Sequence, residues 1–180
     1  MVLHEKQVEF DVHEVDLRNK SEEFLSVSPY GKVPVLVIDG TSLYESNVVN
    51  EYLDEVYEAP RLMPTHPEQR ALSRSWMAFA DEYFFPTIFR VRIGPERGFS
   101  EEQIQEAKEK LGEALRRLEH QLEDRKYLVG DYSLADIAHA ANFHRLRELD
   151  EMGEVSLKQY PNVTAWMERV EGRESYKASA

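Results

Sequence analysis

Glu45 and Ser46 stand directly before an amphipathic run, at the place where a helix would begin. The free N–H groups and the positive end of a helix attract a carboxylate, to which a serine hydroxyl can also donate. The neighbouring glutamate could hold an amino group. A serine at this point can equally act as a simple N-cap. The pair therefore predicts either a helix cap or a binding site for the charged end of an amino acid.

Lys32, Val33 and Pro34 lie upstream, where an apolar strand begins. The Val33–Pro34 bond could be trans at a strand entry, or cis with the Val33 backbone turned outward to pair with an extended peptide. Lys32 could meet a carboxylate or be solvated. With Glu45 and Ser46, these residues suit a ligand with an amino acid at one end, a peptide-like middle and a second carboxylate. Glutathione has this layout.

Strands and a helix are predicted around these residues. Residues 8–15 alternate apolar and polar side chains, which indicates a strand with one buried face. A short helix should follow, and then a more apolar strand at 33–38. Asp39 and Gly40 predict a tight turn into a short partner strand, TSLY. Apolar residues at helical spacing over 48–57 predict the next helix.

The remainder of the chain is predicted to be helical. Three prolines within residues 58–67 indicate an ordered linker. Thr65 and Glu68 could cap a helix that runs to about residue 93, with a kink at Pro86. Two further helices should begin at capping boxes and a last one at a proline; the marker residues are Ser100 with Gln103, Ser133 with Asp136, and Pro161.

Composition excludes several classes of function. The chain has 22 Lys and Arg against 34 Asp and Glu, a net charge of −12, and no basic stripe, so we expect no nucleic-acid partner. It has no cysteine and no histidine pair at metal-binding spacing, which argues against disulfides, a thiol nucleophile and a metal site. No apolar run approaches the roughly 20 residues that span a membrane, so we expect a cytoplasmic protein.

Three segments resemble the soluble glutathione S-transferase family, and the resemblance extends over essentially the whole chain. They are SPYGKVPVLVIDGTSLYESNVVNEYLDE at 28–55, KYLVGDYSLADI at 126–137 and YPNVTAWMERV at 160–170. The resemblance implies a thioredoxin-like α/β N-terminal domain, here incomplete, followed by an all-α helical bundle domain. We place the first domain at 1–58, a linker at 59–66 and the helical domain at 67–180.

The resemblance also implies a function for these residues. Glutathione would be the co-substrate, with its γ-glutamyl end on Glu45 and Ser46, its cysteinyl backbone on Val33 beside a cis Pro34, and its glycyl carboxylate near Lys32. The protein would conjugate glutathione to a small hydrophobic electrophile and form a homodimer. Ser133 and Asp136 would be a structural capping box.

An electrophile pocket would lie between the domains. Candidates for its lining are Tyr83, Phe84 and Arg90, for which helix core and solvated charge are the alternative interpretations.

The sequence departs from the family pattern at its start. Members begin with a strand, a loop that carries a catalytic Tyr, Ser or Cys, and a helix, whereas this sequence begins with MVLHEKQVEFDVHEVDL, similar to the end of that helix and the next strand. The first strand and most of the first helix are therefore expected to be missing, and the catalytic residue is unknown. An enzyme is indicated by family, with poor transfer rates expected even where glutathione binds.

A second hypothesis is a non-catalytic relative that acts through protein contacts. LYESNVVNEYLDE and LMPTHPEQRA also resemble the stringent-starvation proteins, which keep this fold and associate with RNA polymerase. Retention on a glutathione matrix distinguishes the two hypotheses.

Overall fold

The chain folds as two units that meet in sequence between Arg61 and Leu62, in a computed structural model that describes residues 1–179. The first unit holds two strands and three helices. Their bounds are α1 Val2–Glu5, α2 Glu22–Val27, β1 Val35–Ile38, β2 Thr41–Tyr44 and α3 Ser46–Val56.

The predicted hairpin is confirmed. Strands β1 and β2 pair in antiparallel fashion, with Val35 opposite Tyr44 and Ile38 opposite Thr41. The two turn residues, Asp39 and Gly40, have φ values of 48° and 78°. Positive φ at both central positions is the backbone form of the two-residue turn that matches strand twist.

The strand predicted over residues 8–15 is wrong. These residues form no strand, and most are exposed, including Val12 at 70% of its surface. Alternation of apolar and polar side chains defines only the two faces of a possible strand. A strand also needs a hydrogen-bonded neighbour, and within residues 1–179 the sheet contains only β1 and β2.

The second unit is helical. Its α-helices are α4 Pro67–Phe79, α5 Phe85–Ile93, α6 Glu101–Gln121, α7 Leu134–Ala140, α8 Phe143–Glu151, α9 Pro161–Glu171 and α10 Glu174–Lys177. A π-helical segment, Ala80–Phe84, joins α4 to α5, and a 3₁₀ turn, Leu157–Gln159, precedes α9.

The first long helix differs from its prediction at its start. Its N-cap is His66, without a side-chain hydrogen bond, so the cap predicted from Thr65 and Glu68 is wrong. Pro67 is the first helical residue, where its fixed φ and missing N–H are favourable, and this places the cap one residue beyond Thr65. The kink predicted at Pro86 stays a prediction; a π-helical segment interrupts the helix and ends two residues before Pro86, which lies in the first turn of α5.

Both predicted capping boxes are present, at Ser100 with Gln103 and at Ser133 with Asp136. Helix α7 is enclosed by the rest of the unit, because six of its seven residues are buried. The apolar face of α9 is fully buried through Val163, Trp166, Met167 and Val170. The core of the second unit therefore centres on α7 and α9.

Candidate functional site

Lys32, Val33 and Pro34 occupy the loop that connects α2 to β1, and all three are exposed. The Val33–Pro34 peptide bond is cis, as the resemblance implied. The loop leads directly into β1 at Val35.

Glu45 and Ser46 connect β2 to α3. Glu45 is the N-cap of α3 but makes no side-chain capping bond, and Ser46 is the first helical residue. The interpretation of Ser46 as the N-cap is therefore wrong. Because the Glu45 side chain does not bond the first turn, its carboxylate remains available to a ligand at the positive end of the helix.

The backbone at Glu45 is unusual, with φ 67° and ψ 112°. A residue with a side chain rarely adopts this conformation, which costs on the order of 1–3 kcal/mol and is typical of ligand-binding segments. No local pattern predicts this conformation, since glutamate has no preference for positive φ.

The hairpin brings the two groups of residues to one end of the sheet. Val35 lies opposite Tyr44 in the strand register, so Pro34 and Glu45, the residues immediately outside this pair, flank the same end of the hairpin. Adjacent strands are about 4.8 Å apart. The sheet therefore provides the proximity that sequence reasoning required of Val33, Pro34, Glu45 and Ser46.

Two further residues, Ser28 and Lys20, lie near this loop. Ser28 is buried, and its hydroxyl bonds both backbone polar groups of Lys32. Lys20 lies beside the loop, with its Nζ 3.1 Å from where a Cβ on Gly31 would stand. Residues 1–66 carry 5 Lys and Arg and 13 Asp and Glu, a net −8, so two lysines at one loop give local positive charge in an acidic unit.

Ser133 and Asp136 lie in the interior of the second unit. Asp136 Oδ2 accepts from the Ser133 N–H at 2.9 Å, and Oδ1 accepts from the Leu128 N–H at 3.0 Å and from Trp166 Nε1 at 2.8 Å. Burial raises the pKa of this carboxyl, and the hydrogen bonds from Leu128, Trp166 and Ser133 oppose that rise. This geometry supports a structural role.

The three electrophile-pocket candidates differ in exposure. Tyr83 is 63% exposed and Arg90 is exposed, whereas Phe84 is fully buried beside the His139 ring, at 5.4 Å between centroids. A role as pocket lining stays a prediction. Of the three candidates, Tyr83 and Arg90 have exposed side chains that could contact an electrophile, and Phe84 does not.

Within residues 1–179, no cluster of His, Asp or Glu side chains is arranged to hold a metal ion. Over the same residues, no helix combines the length and apolar character needed to cross a membrane.

Comparison with known proteins identifies the family. Residues 1–56 match the glutathione S-transferase N-terminal domain, and residues 77–174 match the C-terminal domain. The chain belongs to the glutathione S-transferase family. The predicted fold class, a thioredoxin-like α/β domain followed by a helical domain, is confirmed.

Individual transferases and solved structures resemble the chain along most of its length. It is 36% identical to glutathione S-transferase U28 of Arabidopsis thaliana, with 99% of this chain and 80% of that relative covered. The β-etherase LigF of Sphingobium sp. strain SYK-6 is 29% identical, with a TM-score of 0.85 and coverage of 98% of this chain and 90% of that one. Rice GST1, solved in complex with glutathione, is 27% identical, with a TM-score of 0.88 and coverage of 98% and 81%.

Proposed function

We propose that this transferase-family chain binds glutathione at the end of the hairpin where Pro34 and Glu45 lie. The observation that carries the proposal is the start of α3, where Glu45 adopts φ 67° and makes no side-chain cap. A strained residue at an open helix N-terminus is suited to the charged γ-glutamyl end of the tripeptide.

Each part of glutathione has a counterpart in this proposal. The α-carboxylate would accept from the Ser46 hydroxyl and the first N–H groups of α3, while the Glu45 carboxylate would hold the α-amino group. The Val33 backbone would pair with the cysteinyl residue. The glycyl carboxylate would meet Lys32, whose exposed side chain can reach a ligand.

The proposed reaction is conjugation to a small hydrophobic electrophile. The glutathione thiolate would attack an electrophilic carbon and form a C–S bond, while the leaving group departs or a proton is added to the product. The chain has no cysteine, so the reacting sulfur is that of glutathione. Tyr83 and Arg90 are the proposed electrophile contacts, and a cytoplasmic homodimer is the proposed form.

Titration calorimetry with glutathione tests the binding site. We expect the wild-type chain to bind and Ser46→Ala to weaken binding about tenfold, because a hydrogen bond to a charged group contributes on the order of 1.5–3 kcal/mol. The control is Ser75→Ala, which removes an exposed hydroxyl that bonds only within its own helix, to Ala71.

Absence of binding to the folded wild-type chain contradicts the proposal. That result would instead support the protein-contact hypothesis.

A further inference from the structure

The loop between α2 and β1 is held by a single buried hydroxyl. Ser28 Oγ donates to the Lys32 carbonyl at 2.8 Å and accepts from the Lys32 N–H at 3.0 Å. One side chain therefore satisfies both backbone polar groups of Lys32. Such a two-way bond fixes the orientation of the peptide groups on either side of Lys32.

Ser28 is itself anchored to α2. It is the C-cap residue of that helix, only 1% exposed, and its N–H donates to the Phe24 carbonyl at 2.9 Å. Its own carbonyl accepts from the Gly31 N–H at 2.9 Å, which closes a turn over Pro29 and Tyr30. The position of the loop is therefore set relative to a helix.

Gly31 allows the chain to make this turn. It is buried and has φ +59°, a conformation that favours glycine. A Cβ at this position would lie 3.1 Å from Lys20 Nζ and 3.4 Å from Leu25 Cδ2. The loop is thus fixed from two sides, by the Ser28 hydroxyl and by the glycine turn.

The backbones of Lys32 and Val33 differ in their hydrogen bonding. Lys32 turns its backbone groups inward to Ser28, while its side chain is exposed. Within residues 1–179, no hydrogen bond engages the backbone of Val33, which is 50% exposed. Ser28 therefore holds the loop with one residue satisfied internally and the following residue open to a ligand.

We infer that Ser28 is a positioning residue of the glutathione site, whose hydroxyl holds Lys32 and Val33 in the binding conformation without touching the ligand. This inference rests on the proposed function.

Glutathione titration of Ser28→Ala tests the inference. We expect binding about tenfold weaker than in the wild type, with near-wild-type affinity restored in Ser28→Thr, which keeps a hydroxyl on a backbone of φ −120°. Ser26→Ala is the matched control, because that serine is exposed and its hydroxyl bonds only to the Glu23 carbonyl of the same helix.

A double-mutant cycle separates positioning from general stabilisation. If Ser28 acts through the loop, its substitution should weaken binding less in a Lys32→Ala background than in the wild type, so the two effects are not additive. Additive effects in a folded double variant overturn the inference.

The two proposals fail in different ways. If wild-type protein does not bind glutathione, the proposed function is overturned. If the wild type binds and folded Ser28→Ala binds within twofold of it, only the positioning role is overturned. Should Ser28→Ala not fold, Gly31→Ala disturbs the same loop from its other side; we expect binding at least about fivefold weaker, and unchanged binding overturns the inference.

Discussion

Lys6 is the most completely enclosed cationic side chain of the first unit. Its ammonium group donates to Asp54 Oδ1 at 2.6 Å, to the Tyr57 carbonyl at 2.5 Å and to the Pro60 carbonyl at 2.6 Å. These three bonds use all three donors of an ammonium group. Since Tyr57 is the C-cap of α3, the positive charge also lies at the negative end of that helix.

Replacing Lys6 with methionine should lower the free energy of unfolding by about 3 kcal/mol, because it leaves a buried carboxylate and two carbonyls without this cation. Urea denaturation monitored by circular dichroism measures the change. Lys20→Met is the control, since Lys20 is exposed in the same unit. Equal midpoints for the two variants would show that the buried cation contributes no more than a surface lysine.

Helix α7 shows how an element depends on a single side chain. The Asp136 carboxylate bonds the start of α7, the preceding segment at Leu128 and the Trp166 ring of α9. In all of these hydrogen bonds, and in the one from the Ser133 hydroxyl, the Asp136 carboxylate is the acceptor. Two helices, α7 and α9, and the segment at Leu128 that precedes α7 are therefore held by one acceptor group that is fully buried.

The isosteric change Asp136→Asn should destabilise the protein by about 3 kcal/mol. An amide keeps one oxygen but turns an NH₂ group toward donors, so at least one buried donor loses its acceptor. Thermal unfolding measures this loss. Gln103→Ala in the exposed box of α6 is the comparison and should cost about 1 kcal/mol. A smaller loss at Asp136 than at Gln103 would contradict the expectation.

For the whole molecule, the buried apolar side chains are distributed unevenly. Among residues 1–179, only Val2, Phe24, Val49 and Leu53 provide such side chains in the first unit, and all others belong to the second. The second unit also encloses His139, which has the rings of Trp76, Phe79, Phe84 and Trp166 around it. Its Nδ1 lies 2.9 Å from the Ala135 carbonyl.

Burial lowers the pKa of His139 to about 4 from its ordinary 6.5, against a smaller opposing effect of the bond to Ala135. Between these values the unfolded chain binds the proton more readily than the folded one. The histidine should therefore reduce the free energy of unfolding by about 3 kcal/mol as the pH falls from 6.5 to 4, with no further change above 6.5.

Denaturation of wild type and His139→Leu across this pH range tests the expectation. Fluorescence is suitable because both tryptophans, Trp76 and Trp166, adjoin His139. The difference in unfolding free energy between the two proteins should be constant from pH 7 to 8. Below pH 6.5 the wild type should lose stability relative to His139→Leu. Asp136 is present in both proteins, so its own titration largely cancels. Parallel curves down to pH 4 would contradict the pKa shift.

Local signals in the sequence were sufficient for much of the fold and for the position of several candidate-site residues. Asp39 and Gly40 marked the hairpin, and the capping boxes marked α6 and α7, because turns and caps are made between residues a few positions apart. The family motifs likewise predict Lys32 and Ser46 as ligand contacts from short segments, and that role stays a prediction. Each of these features depends on near neighbours that the sequence displays.

The tertiary structure decided what depends on distant partners. Residues 8–15 had the alternation of a strand but form none, since a strand needs a neighbour that alternation does not supply. Lys6 is buried because its ammonium group donates hydrogen bonds to Asp54 and Pro60, which lie about fifty residues away in the sequence. Local pattern thus determined the turns, caps and most helices, whereas long-range packing and hydrogen bonding determined which strands form, which polar groups are enclosed and which stay exposed.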